Sequence, residues 1–174
     1  MDHRLIETLV AAGPHPSLGA HAETYGRIIG SWSGELNRYQ DGKSAAKASV
    51  EAHFGWVLEG RAVQDVWITP ARTDRQASAG AGLNWYGSTL RVFDPSTNAW
   101  NTTWTDPMPQ LRIELVGRRQ GDDIVQIGTR AGRPIRWTFS EITPGSFTWR
   151  GHVLSFDGMN WALEVEMKFR RVPA

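Results

Sequence analysis

The chain of 174 residues contains no cysteine, and long apolar runs are also missing. Disulfide bonds, thiolate nucleophiles and thiolate metal ligands are therefore excluded. No apolar run approaches the roughly 18 residues that a membrane-spanning helix needs. The N-terminal residues lack the basic start and apolar stretch of a signal peptide. We therefore expect a cytoplasmic protein that has no membrane partner.

The sequence also has no marked excess of positive or negative charge. The formal net charge is +1, and the charged residues are scattered along the chain. A surface that follows the phosphates of a nucleic acid needs clustered lysine and arginine. We therefore expect no nucleic-acid partner.

Motifs that would identify a reaction are absent. No G-x-S-x-G nucleophile elbow occurs. The five histidines do not pair at the spacings that a metal ion requires on a helix or a strand. These histidines are His3, His15, His21, His53 and His152. The sequence predicts no metal site and no resident cofactor, and no motif in it identifies a reaction.

Tryptophan is abundant: there are nine in the chain. All but Trp85 fall within short runs in which apolar and polar residues alternate, and Trp85 falls in a long connection. Alternation with a period of two is typical of β-strands, and aromatic residues favour strands. The candidate strands are 31–39, 47–59, 61–69, 87–94, 99–105, 110–118, 123–130, 134–142, 146–156 and 159–170.

The connections between these strands are short and contain turn residues such as Glu59-Gly60 and Asp157-Gly158. Such turns join consecutive strands as hairpins. About ten strands would make an unusually wide open sheet, so closure into a barrel is favoured. We predict an all-β, about ten-stranded antiparallel up-and-down β-barrel of one domain, residues 1–174, with the barrel itself in residues 31–171.

Residues 1–30 differ from the rest because their apolar residues recur at helical spacing. Asp2 can cap a first helix that contains Leu5, Ile6, Leu9 and Val10, and Ser17 can cap a second one. We expect these helices to form a plug or lid on the barrel. Residues 70–86 form the one long predicted loop, which would act as a flap at the barrel mouth.

The inward face of each strand follows from its apolar parity. Small barrels either fill their interior with side chains or hold one ligand, and a barrel of about ten strands encloses more volume than one of eight. We therefore expect a ligand cavity inside the barrel. The alternative is that the tryptophans simply fill the interior. The candidate ligand-binding residues are Phe54, Trp56, Gln64, Trp100, Trp104, Gln126, Trp137 and Trp149, with Trp85 and Tyr86 contributed by the flap.

The segment Gly30-Ser31-Trp32-Ser33-Gly34-Glu35 resembles the G-x-W-x-G entrance of calycin barrels, which include lipocalins, fatty-acid-binding proteins and nitrobindins. The resemblance implies that Trp32 plugs the closed end and that Arg170 or Arg171 packs against it. Further stretches are similar to a bacterial family of uncharacterised lipocalin-like domains. These stretches are 58–61, 90–95 with Trp104, 136–140 and 147–150. A shared fold does not supply a function.

The resemblance to nitrobindins implies a haem site, because those proteins hold haem iron through a histidine near the C-terminal strands. His152 is the only histidine in that region. The sequence after Gly34 departs from the nitrobindin pattern, with Leu36 and Arg38 following. His152 also shares its parity with Arg150, opposite Trp149, which predicts that it points outward.

Polar residues in strands with apolar residues on both faces are the other candidates for special roles. Any that face the lumen would be buried and would need a partner, such as an arginine paired with an aspartate. These residues are Gln64, Asp65, Arg91, Gln126, Arg136 and Arg150. Among titratable groups, Asp65 and His152 are the catalytic candidates.

Three functions remain open at this point. The first is a binding protein that takes a small apolar or aromatic molecule into its lumen. The second is an isomerase, cyclase or lyase that uses the same cavity. The third is an interaction protein with a solid barrel and an apolar outer patch. Apolar residues on outer faces also suggest a homodimer.

Overall fold

The structure is a computed structural model and describes residues 3–75 and 83–173. Two short α-helices, α1 and α2, and a 3₁₀ helix precede the main sheet. Their bounds are α1 Arg4–Leu9, 3₁₀ helix Pro16–His21 and α2 Ala22–Gly26. The strands are β1 Val10–Ala11, β2 Gly30–Gln40, β3 Lys43–Val57, β4 Ala62–Thr69, β5 Trp85–Asp94, β6 Ala99–Asp106, β7 Leu111–Gln120, β8 Asp123–Arg130, β9 Arg133–Ser140, β10 Ser146–Leu154 and β11 Trp161–Arg171.

Strands β2 to β11 form a closed antiparallel barrel of ten strands. Each strand pairs with the next along the chain, and β11 pairs with β2 to complete the ring. This connectivity follows from the short turns, because antiparallel neighbours can be joined by a few residues. The predicted fold class is therefore confirmed, and the calycin-type architecture implied by the resemblance is supported.

The N-terminal segment differs in detail from the prediction. Val10, predicted to lie in the first helix, instead pairs with Val57 as part of β1. The second helix begins as a 3₁₀ turn, in which the His15 side chain rather than Ser17 acts as the cap and accepts a hydrogen bond from the Ser17 backbone N–H at 3.1 Å. Gly19 has a φ of 51°, which interrupts regular helix. The predicted Asp2 cap lies outside the described residues.

One end of the barrel is closed by the N-terminal segment and by Trp32. The Trp32 indole N–H donates to the Ile28 carbonyl at 2.8 Å. The Arg171 guanidinium carbon lies 4.1 Å from the centre of the Trp32 ring, and Arg171 donates to the Ile29 carbonyl at 2.7 Å. Of the two arginines that the resemblance implied, Arg171 therefore makes the contact.

The opposite end, which we call the open end, carries the hairpin connections β2–β3, β6–β7, β8–β9 and β10–β11, together with the end of β4 and the start of β5. The prediction of a long loop over 70–86 was wrong at its end, because Trp85 and Tyr86 begin strand β5 and pair with Thr69 and Ile68. Residues 76–82 of that predicted loop lie outside the described residues.

Among the described residues, no helix combines the length and apolar character needed to cross a membrane.

Candidate functional site

A cavity of about 390 Å³ opens at the open end of the barrel. Its wall consists mainly of indole rings from the inward faces of β4, β6, β9 and β10, with Trp85 from the start of β5. The tryptophans that line it are Trp67, Trp85, Trp104, Trp137 and Trp149. This volume lies in the range of small-molecule pockets.

Four of these indoles form a continuous band around the wall. The ring centres of Trp104 and Trp137 are 6.4 Å apart, and those of Trp137 and Trp149 are 5.5 Å apart. The band continues to Trp67, whose ring centre lies 5.7 Å from that of Trp149. Gly151 makes room for this packing, because a Cβ atom there would lie only 2.9 Å from the Trp149 ring.

The cavity floor is polar but carries no net charge. Arg91 lines the floor, and its Nη1 donates to Oδ2 of Asp65 at 2.6 Å. The Asp65 side chain is 0% exposed and that of Arg91 2%. The other Asp65 oxygen accepts from the Thr89 backbone N–H at 2.8 Å. The aspartate thus neutralises and orients the arginine, which meets the requirement for a partner.

Below this floor, towards the closed end, lies a buried group of polar side chains. Gln126 donates to the Thr102 hydroxyl at 3.2 Å. The Tyr25 hydroxyl and the Gln126 carbonyl oxygen are buried and have no hydrogen-bond partner among the described residues. Burial raises the pKa of Tyr25, while the charge of Arg91 acts against that rise. Tyr25 is therefore a neutral phenol at physiological pH.

The cavity mouth is lined by charged side chains. Arg130 donates to both Glu164 oxygens, at 2.7 and 2.6 Å. Arg38 lies exposed at the rim and forms no ion pair with the described residues. Asp106 is buried at the end of β6, where its Oδ1 accepts from the Met108 backbone N–H at 3.1 Å. A bound molecule could therefore meet one cation and one carboxylate, Arg38 and Asp106, that form no ion pair with the described residues.

The predicted binding residues divide into three groups. Those that line the cavity are Trp85, Trp104, Trp137 and Trp149. Those that lie in the packed core and do not line the cavity are Phe54, Trp56, Trp100 and Gln126. Those that lie on the outer face are Gln64 and Tyr86. Some indoles therefore fill the interior and others line the cavity. The two predicted alternatives, a ligand cavity and a filled interior, each describe a part of the barrel.

The predicted inward orientation of Gln64 is corrected by the register of β4. Asp65 pairs with Phe54 and Thr89 on the inner face, whereas Gln64 pairs with Gly55 and Leu90 on the outer face. Gln64 donates there to the Ser88 hydroxyl at 3.0 Å. The apolar parity misled the prediction because β4 is apolar on both faces. Tyr86 shares the outer orientation, and its side chain is substantially exposed.

The two catalytic candidates, Asp65 and His152, do not lie in one site. Asp65 is held under the floor by Arg91, and His152 lies on the outer face of β10, where it pairs with Arg136 of β9. Burial lowers the pKa of His152, as do the neighbouring Arg136 and Arg150 charges. No histidine is among the residues that line the cavity in the described part of the chain. These residues do not fit haem ligation through His152 from inside the barrel.

Some cavity residues were not among the predicted binding residues. The sequence did not indicate that Asp106, Arg130 and Glu164 face the cavity, because a charged residue near a strand end normally faces solvent. Trp67 lies in a strand with apolar residues on both faces, so parity alone did not show that it points inward. Within the described ranges, no group of three or more histidine, aspartate or glutamate residues is arranged to hold a metal ion.

Comparison with known proteins supports the fold. No family model matches the chain, and no curated protein matches it. Among solved structures, the S-type phycobiliprotein lyase CPES from Guillardia theta superposes with a TM-score of 0.60 at 11% identity, over 87% of this chain and 92% of that one. Rv2717c from M. tuberculosis superposes with a TM-score of 0.63 at 13% identity, over 92% and 99%. At these identities the likeness shows the shared calycin-type barrel alone.

Proposed function

We propose that the barrel binds a small, largely apolar or aromatic molecule in the cavity at its open end. The observation that carries this proposal is the cavity of about 390 Å³, whose wall is a band of indole rings. Removing apolar surface from water contributes about 25 cal/mol per Å². A flat hydrophobic molecule that covers several indole faces would therefore gain most of its affinity from desolvation.

The charges around the cavity support a ligand with few polar groups. Arg91 is neutralised by Asp65, and Arg130 is neutralised by Glu164. Among the charged side chains that line the cavity in the described part of the chain, Arg38 and Asp106 are left to orient a bound molecule by charge. A ligand with several charges would leave most of them desolvated without partners, which is unfavourable.

The test uses 1-anilinonaphthalene-8-sulfonate, an aromatic probe, and two matched variants of strand β7. Leu111 lines the cavity, so Leu111→Trp should occupy ligand space and weaken probe binding about tenfold or more. Val116 lies exposed on the outer face of the same strand, so Val116→Trp should leave the affinity unchanged. The measurement is probe fluorescence during titration.

Equal weakening or no weakening in the two variants would place the probe elsewhere and contradict the proposal. Native mass spectrometry of the purified wild-type protein provides a second measurement, since a retained small molecule would add a defined mass. A wild-type protein that neither retains a molecule nor binds the probe would also contradict the proposal.

A second candidate function is an enzyme that acts on the molecule in this cavity. The observation that favours it is the buried Asp106 carboxylate, which lines the cavity and is suited to accept or donate a proton. One structural neighbour is described as a lyase. The molecule identified by mass spectrometry would be incubated with the wild type and with Asp106→Asn. Conversion by the wild type alone supports an enzyme, and an unchanged molecule in both supports a binding protein.

The homodimer and the cytoplasmic location remain predictions. Val92, Val116 and Ile127 occur in one register row on the outer face of β5, β7 and β8, and each is considerably exposed. Sedimentation of the wild type and of Val116→Arg would test a dimer through this row. Loss of a dimer in the variant is the expected result, and a monomeric wild type would contradict the prediction.

A further inference from the structure

The connection between β10 and β11, residues 155–160, presents two apolar side chains to solvent at the open end. Phe156 is 92% exposed and Met159 is 80% exposed. Single exposed apolar residues are common on protein surfaces. Two large ones on one six-residue tip, both almost fully exposed, are more typical of a contact site.

Hydrogen bonds fix the backbone of this tip, so both side chains are held outward. The Ser155 and Asn160 backbones pair at 2.8 Å, and the Gly158 N–H donates to the Ser155 carbonyl at 2.9 Å. The Met159 N–H donates to the Asp157 carboxylate at 2.9 Å. The tip therefore presents its apolar groups without needing to rearrange, which reduces the entropic cost of binding.

Two arginines that form no ion pair with any described residue flank the tip. The Arg133 guanidinium carbon lies 4.1 Å from the centre of the Phe156 ring, and that of Arg136 lies 4.7 Å from the Trp161 ring. Among the described residues, no carboxylate lies within ion-pair distance of either arginine. Phe156 is exposed, whereas Trp161 and the two arginines are half-buried. Aromatic rings beside arginines that form no ion pair with the described residues are typical of sites that enter the headgroup region of a phospholipid bilayer.

We propose that the apolar tip, with Arg133 and Arg136, docks the open end of the barrel on an anionic phospholipid surface. Phe156 and Met159 would enter the boundary between headgroups and acyl chains. The two arginines would contact lipid phosphates, and Trp161 would lie at headgroup depth, where indole rings are favoured. The predicted absence of a membrane partner rested on the lack of a spanning segment, which peripheral docking does not require.

The geometry favours a lipid surface over a protein partner. A stable protein interface buries about 1,200–2,000 Å² and needs a complementary surface of some 20–30 residues on each side. The tip is a narrow projection formed by a few side chains. A fluid interface can close around such a projection, whereas a second copy of this chain would need a matching recess.

Docking in this orientation would turn the cavity mouth towards the bilayer. Arg130 of the mouth and Arg133 beside the tip belong to the same β8–β9 hairpin. A hydrophobic molecule could then pass between bilayer and cavity with little exposure to water. This consequence rests on the proposed function, but the docking itself does not.

The test is cosedimentation with vesicles of phosphatidylcholine, with and without about a quarter phosphatidylserine. Phe156→Ser/Met159→Ser should weaken binding to the anionic vesicles about tenfold or more. The matched control is Leu5→Ser/Ile6→Ser, which removes apolar residues that are 73% and 56% exposed on α1. Helix α1 leads into β1 next to Val57, at the closed end, so this control should bind like the wild type.

A second variant separates the contribution of charge. Arg133→Gln/Arg136→Gln should remove the preference for phosphatidylserine while the apolar tip is unchanged. Thermal melting of each variant checks that it is folded. A wild type that binds neither kind of vesicle would overturn the proposal, as would equal binding by the wild type and the tip variant. Neither result would bear on probe binding in the cavity, so the two proposals can fail separately.

Discussion

Arg91 and Asp65 form an ion pair of 2.6 Å beneath the cavity, with both side chains almost completely buried. The pair joins neighbouring strands β4 and β5 and places an arginine in the floor of a cavity whose wall is largely aromatic. Two charges removed from water are tolerated there because each neutralises the other and the Thr89 N–H supplies a further hydrogen bond.

Removing one member of this pair should destabilise the fold strongly. Arg91→Met would leave the Asp65 charge buried alone, and we expect a loss of about 3–5 kcal/mol in the free energy of unfolding. Asp65→Asn should have a similar effect. The double variant should lose less than the sum of the two, because no isolated charge remains. Urea denaturation measures all three, and additive losses would contradict the coupling.

The Arg171 contact should stabilise the closed end. Arg171→Ala removes the packing against Trp32 and the hydrogen bonds to the Ile29 and Pro144 carbonyls, so we expect a loss of about 2 kcal/mol. The neighbouring Arg170 is exposed, and Arg170→Ala should change stability by no more than about 0.5 kcal/mol. Chemical denaturation compares the two. Equal losses would show that the Trp32 contact contributes little.

Gly87 is required by the packing of Trp104. A Cβ atom at this position would clash with the Trp104 ring and would lie 2.8 Å from the Thr105 carbonyl oxygen. Gly87→Ala should therefore cost about 1–3 kcal/mol and displace Trp104. Gly55 is also a strand glycine, but a Cβ atom there meets nothing within 4 Å. Gly55→Ala should be neutral or slightly stabilising in thermal melting, and a similar loss in both variants would argue against the clash.

His152 should make the fold less stable in acid. Its pKa in the folded protein lies below the ordinary value of 6.5, because of burial and the nearby Arg136 and Arg150 charges. The unfolded chain therefore takes up the proton first as the pH falls through 6.5, and stability is lost from there downward until the folded pKa is passed. Above that range the histidine is neutral in both states and has no effect.

The measurement is the free energy of unfolding at a series of pH values between neutral and mildly acidic. His152→Gln should reduce the loss of stability on acidification, whereas His3→Gln, at the exposed N-terminal end, should retain the wild-type dependence. Wild-type pH dependence in His152→Gln would refute the assignment.

The strands could be predicted because their signal is local. Alternation of side chains marks an extended chain wherever one face is buried, and turn residues mark the hairpins. Prediction failed in β4, where Ala62 and Ile68 are buried although they lie on the outer face. With apolar residues on both faces, parity alone could not show that Asp65, rather than Gln64, points inward.

The cavity residues were only partly predictable for a related reason. Trp104, Trp137 and Trp149 follow from the inward parity of their strands, but Trp100 has the same parity as Trp104 and lies in the packed core. The two tryptophans differ in their position along the barrel axis, because Trp100 lies nearer the closed end and Trp104 nearer the open end. Tyr25 of the N-terminal segment packs against Trp100 with ring centres 5.1 Å apart, whereas the open end has no such plug among the described residues.

The amino-acid sequence by itself determined a chain of short antiparallel strands that must close on itself, because period-two patterning and turn chemistry act between neighbours in the chain. Only the tertiary structure decided which indoles fill the interior and which surround an open space, and that Asp65 would meet Arg91, 26 residues away. A cavity is the volume that side chains from distant strands leave unfilled, and no local sequence pattern determines that volume.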